Sequence, residues 1–66
     1  MTVTVNGTVH EFDRAMSMAD LLCLFDIKSD GIAVALNASV VHRQDLSQMM
    51  LRDGDIVEII RAVAGG

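Results

Sequence analysis

The stretch from Ser17 to Phe25 carries four apolar residues at helical spacing; most other apolar segments of the chain alternate with polar residues or run as short blocks. Met18, Leu21, Leu22 and Phe25 recur three and four residues apart and form the buried stripe of one helix. Ser17 is placed to cap the first turn, and Asp20, three residues on, sits where a carboxylate suits the helix N-terminus. With a single helix available, the core has to close around it. In 66 residues there is room for one such core and no second one.

The flanking segments read as strands. Thr2 to Val5 alternates polar and apolar, Asn6-Gly7 supplies a hairpin turn whose two positions need positive φ, and Thr8 to Phe12 alternates again with Val9 and His10 on opposite faces. After the helix, Asp26 to Gly31 is a loop with Gly31 as its breaker. Ile32 to Leu36 is a continuous apolar run suited to a central strand, and Asn37-Ala38-Ser39 has turn composition. Val40-Val41 extends briefly beyond it. Arg43 to Met50 is expected to be a short helical turn or an irregular excursion anchored by Leu46, Met49 and Met50, the two methionines packing in the core or at its rim. Asp53-Gly54-Asp55 turns the chain into a last strand, Ile56 to Val63. The order β-β-α-β-β-β places the chain in the α+β class. It is the order of the β-grasp (ubiquitin-like) fold, a mixed sheet of four to five strands wrapped on one main helix. Residues 1–63 form the domain on this reading, and residues 64–66 a flexible Gly-Gly tail.

Charge narrows the function. Nine Asp and Glu against five Lys and Arg give a net charge of −4, and the basic residues are scattered. Phosphate binding needs clustered basic side chains, so nucleic acid is a poor partner. Cys23 is the single cysteine, which excludes a disulfide framework and suits a reducing compartment. The opening MTVTVNGTVHEF is neither a signal peptide nor a membrane span, so the cytoplasm is the expected location. A hydrophobic fraction of 52% exceeds what so small a core readily holds, and an apolar patch left outside points to a partner.

The sequence ends in Ala64-Gly65-Gly66. Small residues also collect at frayed ends, but a glycine pair directly after a strong final strand makes a thin lead for a carboxylate. Without Cβ atoms it can thread a narrow channel, and from Val63 it reaches about 10 Å at roughly 3.3 Å per residue. The terminal carboxylate, with an ordinary pKa of about 3.5, is ionised and a poor acyl electrophile. Coupling to AMP would activate it toward a sulfur nucleophile and give a thiocarboxylate. No side chain of the chain is needed for that step.

Other groups carry less. Cys23 lies among the helix's apolar residues with no basic neighbour in sequence, and reads as packing. A two-iron ferredoxin would need four cysteines. His10 and His42 are isolated and no metal is expected. Asp53 and Asp55 flank a glycine and read as turn residues. If Val57 and Ile59 face the helix, then Ile56, Ile60 and Ala62 share the open face of the sheet with Ala33 and Ala35, a small apolar patch for docking a partner.

GIAVALNASVVHRQDL (31–46) followed by LRDGDIVEIIRAVAGG (51–66) resembles the ThiS family, sulfur carriers of thiamine thiazole biosynthesis. Ala35-Leu36-Asn37, Val41-His42-Arg43, Asp53-Gly54-Asp55 and the closing Ala62-Val63-Ala64-Gly65-Gly66 carry the likeness. His42 stands where many members have proline, and Ile60 where an aromatic residue is common. The resemblance implies a carrier that is not itself an enzyme and binds no cofactor. Gly66 would be adenylated by a ThiF-like enzyme that uses ATP, with Gly65 and Ala64 threading its site. Sulfur would then arrive from a donor protein's persulfide and pass to a ThiG-like thiazole synthase. Alternatives are the small subunit of molybdopterin synthase, a ubiquitin-like modifier joined to lysines, and a regulatory ligand-binding β-grasp module.

Overall fold

The computed structural model describes residues 1–28 and 30–61. Strand β1 (Thr2–Val5) turns through Asn6 and Gly7, both at positive φ, into antiparallel β2 (Thr8–Glu11), with Val5 opposite Thr8. Helix α1 (Met18–Leu24) follows, then β3 (Ile32–Leu36), β4 (Ser39–Val41), a 3-10 turn (Arg43–Asp45) and β5 (Asp55–Arg61). The five strands form one mixed sheet in the order β2-β1-β5-β3-β4. β5 pairs parallel with β1 and antiparallel with β3, so the last strand is the central one and β3 lies beside it.

Alternation along the strands gives the sheet one packed face. Val3 and Val5 from β1, Val34 from β3, Val41 from β4 and Val57 and Ile59 from β5 are buried against Met18, Leu21 and Leu22 of α1. The continuous apolar run in β3 does not mean burial on both faces. Val34 is buried while Ala33 is exposed, because small side chains sit on the open side. His10 shares the core-facing side of β2 with its partner Val3 and closes the rim by an edge contact with Phe25, ring centroids 5.0 Å apart.

The helix is specified at both ends. The Ser17 hydroxyl accepts from the Asp20 N–H (3.1 Å) and the Asp20 carboxylate accepts from the Ser17 N–H (3.0 Å), a complete capping box. The next two N–H groups, of Met18 and Ala19, donate to the carbonyls of Met49 (2.8 Å) and Leu46 (3.0 Å). The excursion after β4 thus satisfies donors that a helix start leaves unpaired. Leu46 is buried there and Met49 packs on the core, but Met50 is 51% exposed. Met50 is tied by its backbone bridge to Ser17 rather than acting as an apolar anchor.

The helix ends at Phe25, as its apolar spacing implies, and its left-handed cap is not a glycine. Asp26 adopts φ 57, and Asp26 and Ile27 return their N–H groups to the carbonyls of Cys23 and Leu22 (3.0 and 2.8 Å). That pattern is a Schellman ending with aspartate in the left-handed position. Asp26 therefore ends the helix, and Gly31, at φ 72, turns the chain into β3.

The β3–β4 hairpin uses a two-residue loop. Leu36 pairs with Ser39, leaving Asn37 (φ 50) and Ala38 (φ 70) at the turn. Asparagine tolerates that region; the Cβ of alanine does not. Ala38→Gly is expected to stabilise the fold by about 0.5–1 kcal/mol, the relief exceeding the extra freedom gained by the unfolded chain, and to raise the melting temperature by a few degrees. An unchanged or lower midpoint in thermal unfolding would contradict strain at this position.

The capping box adds a pH dependence. The Ser17 N–H, with help from the Ser17 hydroxyl and the Arg14 charge, holds the Asp20 carboxyl below its ordinary range. Because the folded value is depressed, this stabilisation is complete above the unfolded carboxylate pKa of about 4 and is lost as pH falls through the lower folded value. Urea unfolding at about pH 6 and about pH 3 should show a smaller loss in Asp20→Asn than in the parent chain. Equal losses would remove Asp20 as a source of acid sensitivity.

Candidate functional site

The expected site has two parts. Ala62, Ala64, Gly65 and Gly66, together with the expected tail of residues 64–66 and the last residues of the strand expected to reach Val63, lie outside the described residues. The part that leads to them is β5, and its surroundings are defined.

Val57 and Ile59 point into the core, so Ile56, Glu58 and Ile60 face the other way. The register sets Ile60 opposite Ala33 and Glu58 opposite Ala35 on β3, and Ile56 opposite Thr4 on β1. The structure thus brings Ile56, Ile60, Ala33 and Ala35 to one face. Ile56 and Ile60 are 51% and 60% exposed. The face is wider than the central strands. Val9 on β2 pairs with Thr4, Val40 on β4 pairs with Ala35, and both are exposed, at 63% and 72%. Val9 was legible from the alternation in Thr8 to Phe12, but Val40 needed the two-residue turn to be known. Apolar side chains therefore stand on four of the five strands, with Thr4 of β1 between Val9 and Ile56 and Glu58 as the charge in the middle.

Small neighbours make this face flat. Ala33 and Ala35 leave the isoleucines of β5 standing above β3, which suits contact with a surface better than enclosure of a small molecule. Among the described residues no group of three or more His, Cys, Asp and Glu converges as metal ligands would. Asp53 and Asp55 hold backbone. Asp53 accepts from the Thr2 N–H (2.6 Å), and Asp55 accepts from the Arg52 N–H (2.7 Å) and the Asn37 amide (3.0 Å). They are turn carboxylates, as their places around Gly54 imply.

The two turn asparagines were missed by the sequence reading as anything beyond turn formers. Each places its amide on the backbone of β5. Asn37 Oδ1 accepts from the Ile56 N–H (2.9 Å) and its own N–H donates to the Ile56 carbonyl (2.7 Å). Asn6 Oδ1 accepts from the Ile59 N–H (2.8 Å) and its Nδ2 donates to the Ile59 carbonyl (3.2 Å).

Cys23 is a correction. It lies on the exposed side of α1 rather than within its apolar stripe, because the stripe runs through Met18, Leu21 and Leu22. It borders a groove shared with Ala19, Leu22, Ile27 and Leu46, on the side of the molecule away from the open sheet face. The exposed ion pair of Arg43 with Asp30 belongs to the same side.

A five-stranded mixed sheet clasping one helix, with the last strand in the middle, defines a β-grasp protein, and its sequence continues from that strand to a Gly-Gly end. Comparison with known proteins supplies the family. The chain belongs to the ThiS family, which it matches over residues 3–66. It is 27% identical to the sulfur carrier protein ThiS of Escherichia coli over the full length of both. It is 30% identical to a thiazole synthase of Paramagnetospirillum magneticum, of which it spans 20% while all of this chain is covered. The crystal structure of the thiamine biosynthesis protein ThiS from Geobacter metallireducens superposes with a TM-score of 0.86 at 29% identity over the whole of both chains. The chain is thus a sulfur carrier of the thiamine thiazole route and not a catalyst in its own right.

Exposure makes one statement about Cys23 testable. A thiol reagent should modify it in the native protein without denaturant, and Cys23→Ser should change stability by no more than about 0.5 kcal/mol. Labelling that waits for denaturant would place the thiol inside the fold.

Proposed function

We propose that Gly66 is the working residue: its carboxylate is activated by adenylation, converted to a thiocarboxylate, and its sulfur is delivered to thiazole formation. The observation that carries this reading is a family match that runs through residue 66 and so includes the Gly65-Gly66 end. In the first step the carboxylate attacks the α-phosphate of ATP on a ThiF-like enzyme and pyrophosphate leaves. The acyl adenylate is a mixed anhydride, so a persulfide of a sulfur-donor protein can displace AMP. A thiolate then attacks the donor's own sulfur, which releases the thiocarboxylate and leaves a disulfide. The nucleotide is consumed by the enzyme and is no cofactor of the carrier.

The acceptor on this reading is a thiazole synthase of the ThiG kind. The match to one-fifth of a thiazole synthase supports it, since a carrier-like segment occurs there within the same chain as the acceptor. The docking surface is the open face with Ile56, Ile60, Ala33 and Ala35, continued by Ala62 along the sequence, while Ala64 and Gly65 thread the active site. What supports this choice is the exposure of the two isoleucines on the strand that leads to Gly66. Among the described residues no helix is long and apolar enough to cross a membrane. Together with an unpaired cysteine this supports action in the cytoplasm.

Intact-mass spectrometry tests the class. After incubation with an adenylating enzyme of this family, ATP and a persulfide source, one oxygen of the protein should be replaced by sulfur, and a chain lacking Gly66 should not change. Ile60→Asp should lose at least about tenfold in adenylation rate while its circular dichroism stays that of the parent. No mass change with competent components would reject the carrier chemistry, and an unimpaired Ile60→Asp would move the docking surface elsewhere.

A further inference from the structure

We infer that Asn6 is a positioning residue for the C-terminal end: its side-chain amide continues the β1 ladder past the end of β1 and sets the direction in which β5 runs on toward Gly66. The inference rests on the carrier reading above. Its physical basis is a substitution of one amide for another. β1 and β5 run parallel with Val5 opposite Val57, and the Asn6 N–H adds one more ladder bond, to the Val57 carbonyl (2.9 Å). At Asn6 the chain takes φ 48 and swings into the hairpin, so its backbone can no longer reach Ile59. A carboxamide carries the same donor and acceptor as a peptide unit. Asn6 turns both on Ile59, Oδ1 toward the N–H and Nδ2 toward the carbonyl, and supplies the two ladder bonds that the turn removes.

Position makes the contact matter. On its other side β5 is held by β3 as far as Arg61, through Ala33 opposite Ile60 and Ile32 opposite Arg61. On the β1 side the Asn6 amide is the contact described beyond Val57. Without it the last residues of β5 are gripped along one edge and can pivot about β3. A pivot there shifts the point from which residues 62–66 leave the strand, and with it the region within about 17 Å that Gly66 can reach at about 3.3 Å per residue. A carboxylate that must meet a bound nucleotide in line loses rate through such misplacement more than it loses affinity, because docking is made by the open face.

The molecule contains its own control. Asn37 is the same residue type in the other hairpin, also at positive φ, and also lays its amide on β5. It grips the opposite end of the strand, at Asp55 and Ile56. Asn6→Gly and Asn37→Gly each keep the turn and remove an amide, and both should cost some stability. They should differ in chemistry.

Steady-state adenylation by a ThiF-like enzyme, with the full chain as substrate and all variants confirmed folded, separates the cases. Asn6→Gly should lower kcat about three- to tenfold with KM within about twofold, whereas Asn37→Gly should leave both within about twofold. Amide exchange at Ile59 should quicken in the first variant and not the second. If Asn6→Gly does not fold, Asn6→Asp takes its place with the same direction of effect, since it keeps the acceptor for the Ile59 N–H and tolerates the turn. Equal effects of the two glycine variants on kcat, or an unaltered kcat when the Asn6 amide is lost, would overturn the inference while the carrier reading stands. A parent chain that is never adenylated would overturn both.

Discussion

The parallel pairing of β1 with β5 is the constraint from which the rest of the fold follows. It joins Val3 to Asp55, residues near opposite ends of the sequence, so almost the whole chain must be closed before those hydrogen bonds form. Parallel neighbours need a crossover, and everything between them serves as one: the first hairpin, the helix that covers the packed face, and the second hairpin that lies against the other side of β5. The central strand is then bonded along both edges. Where the flanking strands bend away, asparagine amides carry the bonding further, Asn37 at the start of β5 and Asn6 toward its end.

What could be read from the sequence was local. The Asn6-Gly7 hairpin, the Ser17 cap with Asp20, the stripe of Met18, Leu21 and Leu22, and the alternation that buries Val57 and exposes Ile56 depend on neighbours within a few residues, and each is found in the structure. What could not be read depends on geometry. The helix ends at Phe25 as its spacing implies, but nothing local marks Asp26 as its left-handed cap, a conformation that composition assigns to glycine. Cys23 is exposed because the helix is short and its stripe narrow. Met50 was counted as an anchor for its character, yet it is the backbone there that bonds. The central place of β5 and the reach of the two amides are long-range facts with no local signature. For the site, alternation alone set Ile56, Ile60, Ala33 and Ala35 on one face, while the width of that face, through Val9 and Val40, needed the register.

The two faces of the sheet divide the work. One is filled against the helix and supplies the stability. The other leaves Val9, Ile56, Ile60 and Val40 in water, at a cost in hydration that covering the face would remove. Such a surface also invites association with itself, and the chain limits that risk. Its outer strands, β2 and β4, are only four and three residues long, and Glu58 sits among the isoleucines in a protein of net charge −4.

Because β1 and β5 run side by side in the same direction, the chain enters the sheet at one end and leaves it at the other, a strand length or about 20 Å apart. The N-terminal ammonium donates to the Phe12 carbonyl at the entry end, and an ordinary peptide N–H could make the same bond. A reporter, an affinity handle or a whole further domain grafted ahead of Met1 would thus project away from the exit. The direction of β1 and β5 separates whatever is attached ahead of the sheet from the end at which β5 leaves it.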